Sequence, residues 1–329
     1  MQRPEARQGR VGVMKWLVVG AGSTGGYLGA RLHGIGREIH FLVRPARAAQ
    51  LRQRGLRIVS PDGDSVIEPR LVQRDTLAGP FDAVLLAVKG YQLEAALEDM
   101  APAVGADTMI LPVLNGMEHL ERIATRFGAD RIVGCTLKVA TTLSDEGDIV
   151  QLNSLQEMAI GELDGRDSAR TRALRDFLHG STIVTRLTPD IRREMWEKWV
   201  LLASLGGLTC LMRGPVGEVV ACSGGGELAN SLLDEVAAVV RAVGDAPSSS
   251  FLQATRELLS TQGSPLTSSM YRDLQQGRPV EVENILGDLH RHAQRAGIAT
   301  PLLQAAYVHL RRYQNTLESR TLAPKEHAR

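Results

Sequence analysis

From Lys15 to about Thr142 short apolar, β-rich runs alternate with helical stretches, and the runs Trp16 to Val19, Glu38 to Val43, Ala83 to Val88, Met109 to Val113 and Ile132 to Ala140 are predicted strands. Such alternation predicts an α/β fold with a parallel, doubly wound sheet. The run Ala83 to Val88 is apolar at every position, as a central strand covered on both faces should be. Beyond Thr142 the signals are less regular. Ile149 to Leu152, Met158 to Ile160 and Ser181 to Thr185 are further strands that would extend the sheet, with turns at Gly147-Asp148 and Gly161 to Gly165. From Pro189 onward helical periodicity takes over, predicting helices at Asp190 to Leu205, Glu227 to Val243, Ser250 to Ser260, Pro279 to Ala296 and Pro301 to Leu317. The chain thus divides into a flexible extension (1–13), a nucleotide-binding sheet domain (14–187), an all-helical C-terminal domain (188–318) and a tail (319–329).

Composition narrows the function classes. The 329 residues are 43% hydrophobic and 23% charged, which fits a folded two-domain protein and not a disordered or fibrous one. Lys and Arg (38) nearly balance Asp and Glu (37), so no net field draws the molecule to nucleic acid or to an anionic membrane. The extension carries Arg3, Arg7 and Arg10 without the apolar core of a signal peptide, and the uncharged stretch Trp199 to Met212 is shorter than the roughly twenty residues of a membrane span. Cys135, Cys210 and Cys222 are odd in number, lack CxxC spacing and have no His cluster nearby. They predict neither a disulfide framework nor a metal site, and a reducing, cytoplasmic setting.

Gly20-Ala21-Gly22-Ser23-Thr24-Gly25 follows the first strand directly and opens a helical stretch, which is the context a GxGxxG fingerprint requires. Gly20 permits the tight turn, Gly22 lets backbone N–H groups near a pyrophosphate, and Gly25 lets helix pack on strand. The helix start, with Ser23 and Thr24, favours the negative charge. The alternative is an ordinary glycine-rich turn. The second strand ends about twenty residues past the motif, where NAD enzymes place an acid on the ribose 2′-hydroxyl. Here stand Arg44 and Arg47, with no Asp or Glu between Glu38 and Asp62. Arg44 therefore points to a 2′-phosphate and to NADPH/NADP⁺, against the alternative of a solvated loop arginine, an alternative that weighs more for Arg47.

In a doubly wound sheet ligands sit beyond the carboxyl ends of the strands, which singles out Lys89 after Ala83 to Val88 and Asn115 after Met109 to Val113. By pattern alone each is equally a loop residue making a local cap. Lys138, inside a later strand, is a surface or inter-domain residue. On the helix from Asp190, Glu194, Lys198, Leu202 and Gly206 share one face, beside an apolar stripe marked by Met195 and Trp199. A lysine in that place is ordinarily a snorkelling surface residue. The apolar positions Val236 to Val240 fit either core or a subunit contact.

Taken together, GAGSTGG (Gly20 to Gly26), AVKGYQ (Ala87 to Gln92), LNGM (Leu114 to Met117), EMWEKW (Glu194 to Trp199), SSM (Ser268 to Met270) and GRPVEVENILG (Gly277 to Gly287) resemble the ketopantoate reductase (2-dehydropantoate 2-reductase) family over nearly the whole chain, from about Lys15 to Tyr313. The resemblance implies a Rossmann-type domain followed by a helical one, and NADPH-dependent reduction of a small-molecule 2-keto acid to a 2-hydroxy acid in pantothenate synthesis. It places the general-acid lysine on Lys198 and the supporting acid on Glu281, with Asn115 and Ser269 on substrate. Lys89, Asn115 and Glu281 then also face the cofactor, and a homodimer is implied.

One departure stands out. The family continues the lysine helix with two asparagines that grip the hydroxyl end of the substrate, and here those places are Leu202 and Gly206. Leu202 in the substrate site predicts a less polar side chain on the keto acid, because a buried hydroxyl without a partner costs about 1–3 kcal/mol. Gly206 leaves space that a water or the Ser204 hydroxyl would serve. The competing readings are a relative acting on another 2-keto acid and a non-catalytic NADPH sensor. Retention of both Lys198 and Glu281 speaks against the sensor.

Overall fold

The computed structural model describes residues 14–61 and 63–322, so the predicted extension lies outside the described residues. The chain forms two compact units. One runs to Leu114 and includes His119–Arg192; the other joins Asn115–Glu118 to the residues from Arg193 onward.

The first unit contains, in order, β1 (Lys15–Val19), α1 (Ser23–Gly34), β2 (Glu38–Leu42), α2 (Pro45–Arg54), β3 (Leu56–Val59), β4 (Ser65–Ile67), β5 (Arg70–Val72), β6 (Ala83–Leu86), α3 (Leu93–Met100), β7 (Met109–Pro112), α4 (Glu118–Phe127), β8 (Gly134–Leu143), β9 (Ile149–Gly161), α5 (Ala169–Leu178) and β10 (Val184–Leu187). A five-stranded sheet has the order β5-β2-β1-β6-β7, with every pair parallel. The order reverses between β1 and β6, as in a doubly wound fold, so the Gly20 loop sits at the switch point. Strand alternation divides the core in two. Trp16, Val18, Ile39 and Phe41 point to the side holding α1 and α5, and Leu17, Val19, Val84 and Ile110 to the side holding α3 and Ile123 of α4. Trp16 stacks on Phe177 of α5 with ring centroids 4.7 Å apart.

Of the predicted strands after Met109 to Val113, Ile132 still bridges Ile110 in parallel, but from Gly134 onward the strands leave this sheet. They form a second one, ordered β10-β9-β3-β4, with β8 antiparallel to β9. The reason is local: the Ser144 N–H bonds the Asp148 carbonyl at 2.9 Å and Gly147 turns with φ of 83°, and a chain reversed by so tight a turn pairs antiparallel. Ile149 to Leu152 and Met158 to Ile160 are two ends of the single strand β9. Lys138 faces Glu157 across β8 and β9 at 3.8 Å with both side chains half exposed, a surface pair. The Ala83 run stops pairing at Leu86 because its neighbour β1 leaves the ladder at Gly20.

The second unit is helical. α6 (Ile191–Met212) leads into it, followed by α7 (Val216–Ala221), α8 (Gly225–Val243), α9 (Ser249–Leu259), α10 (Ser269–Gln275), α11 (Asp288–Ala296) and α12 (Pro301–Leu322). α6 is apolar around most of its circumference from Trp199 on and is buried, and among the described residues no helix is long and apolar enough to cross a membrane. Val236, Ala237, Val239 and Val240 are all buried within the chain, so this part of α8 is core and not a subunit contact. The helix expected from Pro279 starts only after Glu281; before it the Val280 N–H donates to the Gln314 side chain at 3.1 Å and the Arg278 carbonyl accepts from the Tyr313 hydroxyl at 3.0 Å. Its first part, Glu283–Gly287, is π-helical, with the Asp288 N–H reaching back to the Glu283 carbonyl. α12 runs to Leu322, so the expected tail begins later than residue 319, and its remainder lies outside the described residues.

Candidate active site

At the nucleotide end, β1 stops at Val19, Gly20 turns with φ of 97°, and α1 begins at Ser23. A side chain at Gly25 would place its Cβ 2.3 Å from the Gly20 carbonyl oxygen, so only glycine lets the helix lie this close to the loop. Above Gly22 the reverse holds: a Cβ there would meet nothing within 4 Å. The α1 N-terminus has no side-chain cap and no acid in its first turn, leaving the N–H groups of Ser23, Thr24 and Gly25 without helical partners. Open space over uncapped N–H groups fits a pyrophosphate.

Arg44 follows β2 as the residue that starts α2, and it is exposed, with no hydrogen bond or ion pair among the described residues. Arg47 differs from its sequence reading. Its Nε donates to the Ala21 carbonyl at 3.1 Å and its Nη1 to the Gly147 carbonyl at 3.0 Å, so it ties the glycine loop to the β8–β9 turn. Burial lowers its pKa and its Nη2 has no partner. Its position past β2 marked it in the sequence, but not this role, because the turn it grips lies 100 residues away. Lys89 is half buried beyond β6, and its carbonyl accepts from the Gln92 N–H at 2.8 Å to open a short 3₁₀ turn.

The other candidates belong to the second unit. Asn115 donates from Nδ2 to Glu281 Oε2 at 3.4 Å, and Glu281 is 5% exposed. Two further contacts hold the Asn115 loop: a Cβ at Gly116, where φ is 85°, would fall 2.6 Å from the Asn284 carbonyl oxygen, and Glu118 pairs with His292 at 3.0 Å. Lys198 is half buried on α6, flanked by buried Met195 and Trp199. The Trp199 indole N–H donates to the Ile285 carbonyl at 2.9 Å.

Lower on the same face of α6, Thr209 Oγ1 lies 3.0 Å from Ser268 Oγ, and a Cβ at Gly206 would meet Met270 Cε at 2.8 Å. The two serines of SSM therefore differ. Ser268 is buried and caps α10 by accepting from the Tyr271 N–H at 2.9 Å, whereas the Ser269 hydroxyl, on the first helical residue, makes no hydrogen bond among the described residues. The space expected at Gly206 is filled by Met270, a residue the sequence did not single out. Ser204 does not stand in either: at 100° per residue it lies on the far side of α6 from Leu202, with its hydroxyl buried and unpartnered.

The structure thus brings Asn115 and Glu281 into contact and seats Ser269 between two residues that touch the Lys198 face of α6. Gly20 to Gly25, Arg44 and Lys89 belong to the first unit.

Residues 16–165 match the model of the family described as ketopantoate reductase PanE/ApbA, and residues 190–314 match the model of its C-terminal part. The chain belongs to the ketopantoate reductase family. Among relatives, it is 32% identical over 301 residues to the uncharacterized oxidoreductase YkpB of Bacillus subtilis, covering 92% of this chain and 99% of that protein. It is 28% identical to the 2-dehydropantoate 2-reductase of a Nostoc species, covering 90% and 94% of the two. Among solved structures, the 2-dehydropantoate 2-reductase of Geobacter metallireducens superposes with a TM-score of 0.81 at 29% identity, over 91% of this chain and 99% of that one. An oxidoreductase with a Rossmann-type unit and a helical unit is therefore established.

Proposed function

We propose that the protein reduces a 2-keto acid to the 2-hydroxy acid with NADPH, 2-dehydropantoate being the first substrate to test and pantothenate synthesis the setting. The observation that carries the reading is the Asn115–Glu281 contact in the same unit as Lys198, with the free Ser269 hydroxyl beside α6. The cofactor, when bound, supplies the hydride. Ser23, Thr24 and Gly25 would hold its pyrophosphate on the start of α1, and Arg44 the 2′-phosphate. Lys89 and Asn115 would orient cofactor and substrate.

The chain's own residues supply the rest. The Lys198 ammonium donates a proton to the carbonyl oxygen as negative charge develops on it, and Glu281, buried and hydrogen-bonded to Asn115, orients the donor. Ser269 hydrogen-bonds the substrate carboxylate. A homodimer belongs to this reading, formed through surfaces other than Val236 to Val240.

A second reading, a keto acid with a less polar side chain, is favoured by Leu202 together with Met270, which present hydrocarbon where an amide would grip a hydroxyl. Oxidation of NADPH and NADH with a panel of keto acids tests both readings. Ketopantoate as the best substrate supports the first, a deoxygenated or bulkier apolar analogue supports the second, and no turnover with any keto acid removes both.

A further inference from the structure

We infer that Trp199 is a positioning residue: its indole N–H, bonded to the carbonyl of Ile285, fixes the direction of Lys198 relative to Glu281. The inference rests on the proposed role of Lys198 as proton donor.

Trp199 follows Lys198 and projects about 100° round the helix from it, so anchoring the indole sets the rotation of α6 at the lysine. The anchor is a peptide of the π-helical segment. The Ile285 carbonyl accepts the indole N–H at 2.9 Å, and the N–H of Ile285 donates to the Glu281 carbonyl at 3.1 Å. Two hydrogen bonds therefore run from the residue beside Lys198 to the backbone of Glu281, whose carboxylate meets Asn115.

The ring also touches the remaining piece of the site. A Cβ at Gly116 would lie 3.9 Å from Trp199 Cε2, and the ring packs edge-on to His292, which holds Glu118. Trp196 closes the outer side by stacking on Trp199 at 5.3 Å, and Gly244 is bare where any Cβ would strike Trp196 at 2.4 Å. At 1% exposure the indole has no water to exchange for its acceptor, so the bond has one geometry.

Trp199→Phe keeps an aromatic ring and removes the N–H. The expected result is a fall in kcat of about tenfold, with NADPH affinity within about twofold of wild type, since a lysine held less firmly is placed less often for proton transfer while the nucleotide loop is untouched. The direct readout is Lys198 itself. The chain has five lysines, Lys15, Lys89, Lys138, Lys198 and Lys325, so ¹³C-dimethylation gives a lysine NMR spectrum in which Lys198 is assigned by its absence in Lys198→Met.

The titration midpoint of that signal moves in Trp199→Phe if the indole directs the lysine. An unmoved midpoint overturns the inference, whether or not the wild-type enzyme turns over a keto acid. So does a lowered melting temperature with kcat unchanged, or a fall in kcat matched by an equal fall in NADPH affinity. If wild-type protein reduces no keto acid, the proposed function fails, and the midpoint alone decides the role of Trp199.

Discussion

The terminal methyl of Met270 occupies the space in which a side chain at position 206 would start, 2.8 Å from where its Cβ would stand. Gly206 and Met270 are thus one packing unit, and the glycine is bare because α10 lies against it. An asparagine introduced at 206 alone would have to displace Met270, whereas position 202, half buried and one turn nearer Lys198, already carries a leucine of similar length.

Leu202→Asn should therefore act without a partner change at 206. In the family pose it shifts kcat/KM toward ketopantoate, relative to the analogue lacking the terminal hydroxyl, by about 1 kcal/mol or fivefold, the worth of one good hydrogen bond. Steady-state kinetics with the substrate pair measures it. A wild-type enzyme that already strongly prefers ketopantoate, with no gain in the variant, would mean that the hydroxyl is held elsewhere.

Lys198→Met should lower kcat by roughly 10²–10⁴ and leave NADPH binding intact, which is the range general acid catalysis supplies. Single-turnover kinetics with a fluorescence titration of NADPH separates the two quantities. Unchanged turnover excludes Lys198 as the donor.

Arg44→Asp should weaken NADPH by about ten- to a hundredfold and leave NADH nearly untouched, since a charge-assisted hydrogen bond contributes roughly 1.5–3 kcal/mol. Equal losses for the two cofactors would show that Arg44 does not read the phosphate. Arg47 is the natural comparison: by gripping the Ala21 and Gly147 carbonyls it shapes the loop for both cofactors, so Arg47→Ala should weaken both alike.

Acid should unfold the first unit partly through Glu162. This carboxylate, 3% exposed, is penalised by desolvation, which raises its pKa. Hydrogen bonds from Arg170 (2.7 and 2.6 Å) and Ser168 (2.6 Å) outweigh that and hold it below the ordinary glutamate value. A lowered folded-state pKa contributes stability at neutral pH that is lost as the pH falls through the folded-state value. Glu162→Gln should cost about 1–3 kcal/mol at pH 7 and less as the pH falls, read as urea midpoints across a pH series. A constant difference at every pH would sink the assignment.

Arg213 is the one non-glycine residue with positive φ among the described residues, at 60°, just past the end of α6. Arg213→Gly should raise stability by about 0.5–1 kcal/mol, the left-handed strain removed less the extra freedom of glycine in the unfolded chain. The urea midpoint should rise at constant slope.

How much of this was legible in the sequence follows from the range of each interaction. The parallel sheet and its glycine loop were readable because strand periodicity and GxGxxG are local signals, and the Ala83 run carried its own double burial. The second sheet was legible only as strands and a turn at Gly147, since the pairing of β9 with β3 and β10 is set by contacts far apart in the chain. The contacts of Gln314 and Tyr313 with the segment before the Glu281 helix come from far along the chain, and a π-helical turn has no signature in a 3.6-residue period. Lys198, Glu281, Asn115 and Ser269 became candidates together only through motif order, since spacing alone left Lys198 a surface residue and Asn115 a loop residue. The contacts of Met270 with Gly206, of Arg47 with the Ala21 and Gly147 carbonyls and of Trp199 with Ile285 were not legible, because each is made only in three dimensions.

The helical unit owns four residues, Asn115–Glu118, that are synthesised well before the rest of it begins at Arg193. Closing a loop across the 166 residues from Asn115 to Glu281 adds little equilibrium cost over a shorter one, because loop entropy grows only logarithmically. Its effect is on timing. A ribosome has already released the sheet strands and most of the helices before Glu281 emerges to meet Asn115, and contacts of such long range form late. A nascent or truncated chain can therefore acquire its glycine loop early and still lack the Asn115–Glu281 contact, so an assay of the loop alone is no measure of a finished fold.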